Sequence, residues 1–151
     1  MSAPKREKNE FHIGGQTVRG GEMRTVELPV ARLYTSTPVT LPVRVVCGRR
    51  PGPALFVCGA MHGDEINGVE IVRRLLARKA LAGLRGTLLA VPVANVHGFI
   101  SHSRYLPDRR DLNRCFPGRE DGSLASHLAW LFMSEIASKC RYGIDLHTAA
   151  G

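Results

Sequence analysis

The sequence predicts an α/β fold: a mixed, mostly parallel sheet flanked by helices. Short apolar runs at Ala54–Gly59, Thr87–Ala94 and Tyr142–Leu146 alternate with stretches whose apolar residues recur every three to four positions. That order implies strands with helices packed on the sheet faces. In addition, His62, Asn95 and His147 each follow one of these runs closely. They would therefore gather at carboxyl ends of strands, where open α/β sheets bind ligands.

Residues 1–22 are polar and Gly-rich and read as a flexible N-terminal tail, with Gly14-Gly15 and Gly20-Gly21 as breakers. Two β-branched runs follow, about Arg24–Tyr34 and Val39–Cys47, joined by the turn-like Thr35-Ser36-Thr37-Pro38. They read as an antiparallel pair, and Pro29 and Pro42 place it at a sheet edge. Arg50–Pro53 reads as a loop. Ala54–Gly59 is wholly apolar, as in a strand buried on both faces.

From Glu65 to about Ala80, Val69, Val72 and Leu76 keep helical spacing. Gly86 precedes the strand Thr87–Ala94. A long irregular stretch, Asn95–Gly122, holds most of the polar residues of interest, and loops of that length usually serve function. Ser123 reads as the N-cap of a helix to about Lys139, with Leu124, Leu128, Leu131 and Ile136 as its core stripe. Tyr142–Leu146 is the last strand.

The chain of 151 residues is long enough to bury a core. It is 44% hydrophobic and 23% charged and has no run long enough to span a membrane. Met1–Glu10 is charged and does not resemble a secretory signal, so the expected location is the cytoplasm. The net charge of +8 suits small anionic substrates. Its scattered arginines accompany no nucleic-acid motif, so no specific nucleic-acid partner and no membrane partner are expected. Cys47, Cys58, Cys115 and Cys140 lack metal-binding spacing and read as reduced thiols, with Cys58 a buried structural one.

His62 and Glu65 stand three residues apart where a strand gives way to a helix. At that spacing both can face one metal ion, and His147 can add a third ligand. Two histidines and a carboxylate form a catalytic zinc set with a fourth position open to water. An acid at a helix start is also explained by capping, but the histidine is not. Asp145 points to the same strand face as His147 and can either orient its ring or pair with a base. In the long loop, Asn113 and Arg114 put an amide beside a planar guanidinium, which suits a carboxylate.

Gly59-Ala60-Met61-His62-Gly63-Asp64-Glu65, Arg104-Tyr105, Asp111-Leu112-Asn113-Arg114-Cys115-Phe116-Pro117-Gly118 and Asp145-Leu146-His147-Thr148 occur in this order. Together they resemble the succinylglutamate desuccinylase and aspartoacylase family, relatives of the zinc carboxypeptidases. The resemblance implies one zinc ion per chain, held by His62, Glu65 and His147. It further implies substrate binding by Arg104, Asn113 and Arg114, with Arg104 also catalytic through polarisation of the scissile carbonyl. The implied reaction is hydrolysis of the amide of a small anionic N-acyl amino acid. A metallocarboxypeptidase acting on peptides and a noncatalytic metal- or anion-binding module are the alternatives.

The family's general-base glutamate follows the third ligand at a distance, whereas this sequence stops at Gly151. Glu70, Glu120 and Glu135 lie in no matching context. Residues 23–151 are therefore expected to be the N-terminal part of a zinc-dependent deacylase catalytic domain, truncated after the third ligand and poorly active alone.

Overall fold

The computed structural model describes residues 9–32 and 35–148. Residues 1–8 of the expected tail, Leu33-Tyr34 and the final 149–151 lie outside the described residues. A hairpin of β1 (Glu10–Ile13) and β2 (Gln16–Arg19) precedes a five-stranded sheet. The sheet contains β3 (Met23–Arg32), β4 (Pro38–Cys47), β5 (Arg50–Gly59), β6 (Arg85–Val91) and β7 (Tyr142–Leu146). Their spatial order is β3-β4-β6-β5-β7. Three helices complete the fold: α1 (Asn67–Leu76), α2 (Val96–Ser101) and α3 (Leu124–Glu135). No described helix is long and apolar enough to cross a membrane.

The sheet is evenly mixed, which corrects the expectation of a mostly parallel one. β3 with β4 and β4 with β6 run antiparallel, while β6 with β5 and β5 with β7 run parallel. The prolines explain how the antiparallel half is tolerated. Pro29 sits at a register shift in the edge strand β3, where a missing N–H costs little. Pro42 pairs with β3 before β4 begins its pairing with β6 at Arg44.

Side-chain alternation builds a core on each sheet face. Leu41, Val43 and Val45 of β4, Cys58 of β5 and Leu89 and Val91 of β6 pack with Leu128, Leu131 and Phe132 of α3. On the other face Val46, Val57, Leu88 and Ala90 pack with Val72 of α1. β5 and β6 are thus covered on both sides, which is why they read as unbroken apolar runs. Ser123 caps α3 by accepting from the Ser126 N–H, and Asp108 accepts from the Ala125 N–H at 2.9 Å.

The expected loose tail is corrected over residues 9–22. Ile13 and Val18 are fully buried in the α3-side core. Gly14 and Gly15 both have positive φ, the backbone needed by a tight two-residue hairpin turn. Polar composition hid the hairpin because only two of its side chains are buried. It is fastened to α3 through Glu135, which accepts from the Gly14 N–H at 2.8 Å and from Lys139 at 2.7 Å.

Two predictions follow from this packing. Burial alone would raise the Glu135 pKa, but the Gly14 N–H and then Lys139 outweigh it and hold the carboxyl below its ordinary value. A folded pKa below the unfolded one gives stability that is present above the unfolded value and lost as pH falls through the folded one. Glu135→Gln should therefore lose about 1 kcal/mol near neutral pH, with the difference from wild type vanishing in acid, as urea titrations would show. At Gly63, an added Cβ would overlap the backbone of Gly98 and Phe99. Gly63→Ala should cost about 3 kcal/mol, whereas Gly83→Ala, with nothing within 4 Å, should stay within about 0.5 kcal/mol.

Candidate metal centre

β5, β6 and β7 run parallel and end on the same side of the sheet. Beyond β5, Ala60 adopts positive φ, and the Ala94 and Asn95 N–H groups donate to the Gly59 and Ala60 carbonyls. These contacts hold the segment containing His62 against the segment following β6. The fully buried Asn95 caps α2 by accepting from the Gly98 N–H at 2.8 Å. Gly63 N–H donates to the Ser103 carbonyl at 3.0 Å. Asn95 therefore secures the scaffold of the site.

Glu65 lies in the turn before α1, whose first residue is Asn67. It does not cap the helix, because both carboxylate oxygens are engaged elsewhere. Oε1 is 2.7 Å from His62 Nδ1, and Oε2 is 2.9 Å from His147 Nδ1. The Thr148 N–H also donates to Oε2, at 2.9 Å. One ligand atom from each of His62, Glu65 and His147 lies within 4.8 Å of the others. The side chains of His62 and Glu65 are 3% and 6% exposed, while that of His147 is 34% exposed. A site with one open side results.

Each imidazole has a second carboxylate behind it. His62 Nε2 lies 3.0 Å from Asp111 Oδ1, and His147 Nε2 lies 2.8 Å from Asp145 Oδ2. The other oxygen of Asp111 accepts from Arg104 Nε and Nη2, at 3.1 and 2.9 Å. Asp145 Oδ1 accepts from the Cys58 thiol at 3.2 Å. Both rings thus turn Nδ1 toward Glu65 and Nε2 toward an aspartate. That arrangement fits a metal ion on the Nδ1 side, with carboxylates fixing the rings from behind.

Charge supports the same fit. Glu65, Asp111 and Asp145 are offset by one guanidinium, that of Arg104 on Asp111, so two neutral rings leave two negative charges in this hydrogen-bonded group. A divalent cation or two ring protons would balance them. Burial would lower the His147 pKa, but Asp145 and then Glu65 outweigh it and raise it. Burial would also raise the pKa values of Glu65 and Asp111. His62 with the Thr148 N–H holds the first below its ordinary value, and Arg104 with His62 holds the second. Burial, then the charge of Asp145, pushes the Cys58 thiol up, so it remains a donor.

Of the residues singled out in the sequence, His62, Glu65 and His147 come together, and Arg104 joins them through Asp111. Asn113 and Arg114 lie exposed on the short turn Leu112–Arg114 beside Asp111. The role of Asp111 was missed. Its signal was its place at the head of the Asp-Leu-Asn-Arg segment, but spacing alone cannot pair it with a histidine 49 residues away. Glu70 pairs with Arg73 and Arg74 on α1, Glu120 is exposed, and Glu135 serves the hairpin.

Residues 51–151 match the family model of the succinylglutamate desuccinylase/aspartoacylase catalytic domain. An N-alpha-acetyl-L-2,4-diaminobutyric acid deacetylase of Halomonas elongata is 33% identical over 73% of this chain and 32% of its own length. The product-bound structure of the ectoine utilization protein EutE (DoeB) from Ruegeria pomeroyi superposes with a TM-score of 0.77 at 29% identity. That match covers 95% of this chain and 44% of the other. A succinylglutamate desuccinylase/aspartoacylase from Rhodobacter sphaeroides gives 0.75 at 30% identity, covering 85% and 40%. A metallo-carboxypeptidase from Burkholderia cenocepacia, 18% identical with a TM-score of 0.60, shares the fold. The chain spans about a third of the length of the curated relatives it matches. With its His62–Glu65–His147 cluster, it belongs to the succinylglutamate desuccinylase/aspartoacylase family of hydrolases.

Proposed function

We propose that this chain supplies the metal-binding part of a zinc-dependent hydrolase that cleaves the amide bond of a small anionic N-acyl amino acid. The observation that carries the reading is Glu65, whose two oxygens face the Nδ1 atoms of His62 and His147. His62, Glu65 and His147 would hold one zinc ion per chain, and thiolates take no part. Bound zinc supplies a Lewis acid and lowers the pKa of water toward ~7. Asp111 and Asp145 hold the two rings in the tautomer that leaves Nδ1 free.

Arg104 sits where Asp111 fixes its guanidinium, with its remaining N–H groups free to polarise a carbonyl and stabilise developing negative charge. Asn113 and Arg114 would bind the substrate carboxylate, the amide and the planar fork acting side by side. Glu65, Asp111 and Asp145 are all engaged, so in this reading none of them accepts the proton of water. The likeness to an N-alpha-acetyl-L-2,4-diaminobutyric acid deacetylase favours the deacylase reading over the peptidase alternative.

Metal analysis should find one zinc ion per chain, lost in His62→Ala and in His147→Ala; full retention by both variants would refute the ligand assignment. Because the His147 pKa is raised, zinc must compete with its proton, so affinity should fall as pH drops through that raised value. Calorimetry in buffers of different ionisation enthalpy would detect the released proton. For the reaction itself, an active protein containing these residues should hydrolyse N-acyl amino acids in preference to peptides. Arg114→Lys should raise KM there, because it keeps the charge but loses the fork. Preference for peptides would favour the carboxypeptidase alternative.

A further inference from the structure

We propose that Cys58 is a positioning residue of the metal centre: its thiol holds Asp145 in the rotamer that orients His147. The inference rests on the reading of His147 as a ligand. In the parallel β5–β7 pair, Cys58 stands directly opposite Asp145, so both side chains leave the same sheet face. Sγ donates to Asp145 Oδ1 at 3.2 Å, with the Ile144 carbonyl a longer alternative at 3.8 Å. Asp145 Oδ2 lies 2.8 Å from His147 Nε2, and His147 Nδ1 lies 2.9 Å from Glu65. A continuous hydrogen-bonded path thus runs from the core of the sheet to the cluster.

Among the described residues β7 is an edge strand, so the hold on Asp145 comes from the β5 side. A third of its side chain is exposed, and packing on the outer side does not select its rotamer. Among the described residues, Cys58 and His147 are its side-chain hydrogen-bond partners. Cys58 itself is fully buried between apolar neighbours. Valine would fill that volume equally well but would leave Asp145 Oδ1 without its donor from the core. The carboxylate could then rotate toward water, and His147 would lose the partner that fixes its tautomer.

Cys58→Val and Cys58→Ser test the assignment in the whole chain. In zinc-loaded protein with nitrogen-15-labelled histidine, long-range proton–nitrogen spectra follow the Nε2–H proton that His147 donates to Asp145. In wild type this proton should be downfield and slow to exchange with water, and in Cys58→Val it should exchange markedly faster. Zinc affinity, read by chelator competition, should weaken about three- to ten-fold, less than the roughly 10–100-fold typical of direct partners of ligating histidines. Cys58→Ser, which still donates, should keep the protected proton and most of the affinity even if its stability falls. Unchanged exchange in Cys58→Val, or equal losses in the Val and Ser variants, would overturn the proposal. Should Cys58→Val fail to fold, the Ser variant still decides: loss of the protected Nε2–H there overturns it. Unaltered zinc binding by His147→Ala would sink the ligand reading and this proposal with it, whereas zinc lost in His147→Ala but an unchanged Nε2–H in Cys58→Val would sink this proposal alone.

Discussion

The parallel pairing of β5 with β7 is the constraint on which the site depends. It sets Cys58 opposite Asp145 and Gly59 opposite Leu146, so the chain leaves both strands at the same level. His62 and Glu65 emerge after one strand and His147 after the other. Glu65 can then bridge two histidines that lie far apart in sequence. A one-residue slip of β7 would send Asp145 to the opposite sheet face and withdraw it from both Cys58 and His147. Register is held from the inside: Gly143 lies against the Phe56 ring, and Gly68 of α1 packs on Gly59 and Leu146. Larger residues at these glycines would push the strands or the helix apart.

Electrostatics then decides what the cluster can do. Three carboxylates around two imidazoles form an arrangement that asks for positive charge, and Arg104 supplies one unit at the rim. Ring protons and a divalent cation compete for the rest. The raised His147 pKa and the fit to a metal ion are therefore two consequences of the same negative surroundings. Removing Asp145 would lower the His147 pKa but also release its ring, so the two effects on metal binding oppose one another. Geometry dominates where the other ring nitrogen must be fixed, as the partners of ligating histidines generally demonstrate.

Much of this was legible in the sequence, for identifiable reasons. The apolar runs within β5 and β6 are covered on both faces and carry their own signal, and Tyr142–Leu146 was legible as a strand although most of β7 is exposed. Ser123 and the α3 stripe carry theirs, and the His62–Glu65 spacing is local. What escaped was non-local or thinly encoded. The hairpin over Glu10–Arg19 buries few apolar side chains, so its polar composition read as a tail. The balance of parallel and antiparallel pairs depends on β4 lying between β3 and β6, which no local pattern states. Arg50–Pro53 read as a loop yet begins β5, its prolines and glycine accommodated by a register shift before Ala54. The Asp111–His62 and Cys58–Asp145 contacts join residues that only the fold brings together.

His147 follows the most exposed strand of the described sheet. Among the described residues β7 pairs on one side only, and its Tyr142 and Ile144 are half exposed, so it is held there mainly by its bonds to β5. Opening it would carry His147 away from Glu65 and break the Thr148–Glu65 contact in the same movement. An ion bound by His62, Glu65 and His147 would have to be released for that opening to occur. Part of such an ion's binding free energy would therefore act as docking free energy for β7, by the linkage that makes any ligand of the folded state stabilise it. Conversely, whatever steadies β7 against β5, including the thiol of Cys58, prepays part of the cost of assembling the site. Site and sheet edge are in this sense one cooperative unit, with Glu65 as the joint between them.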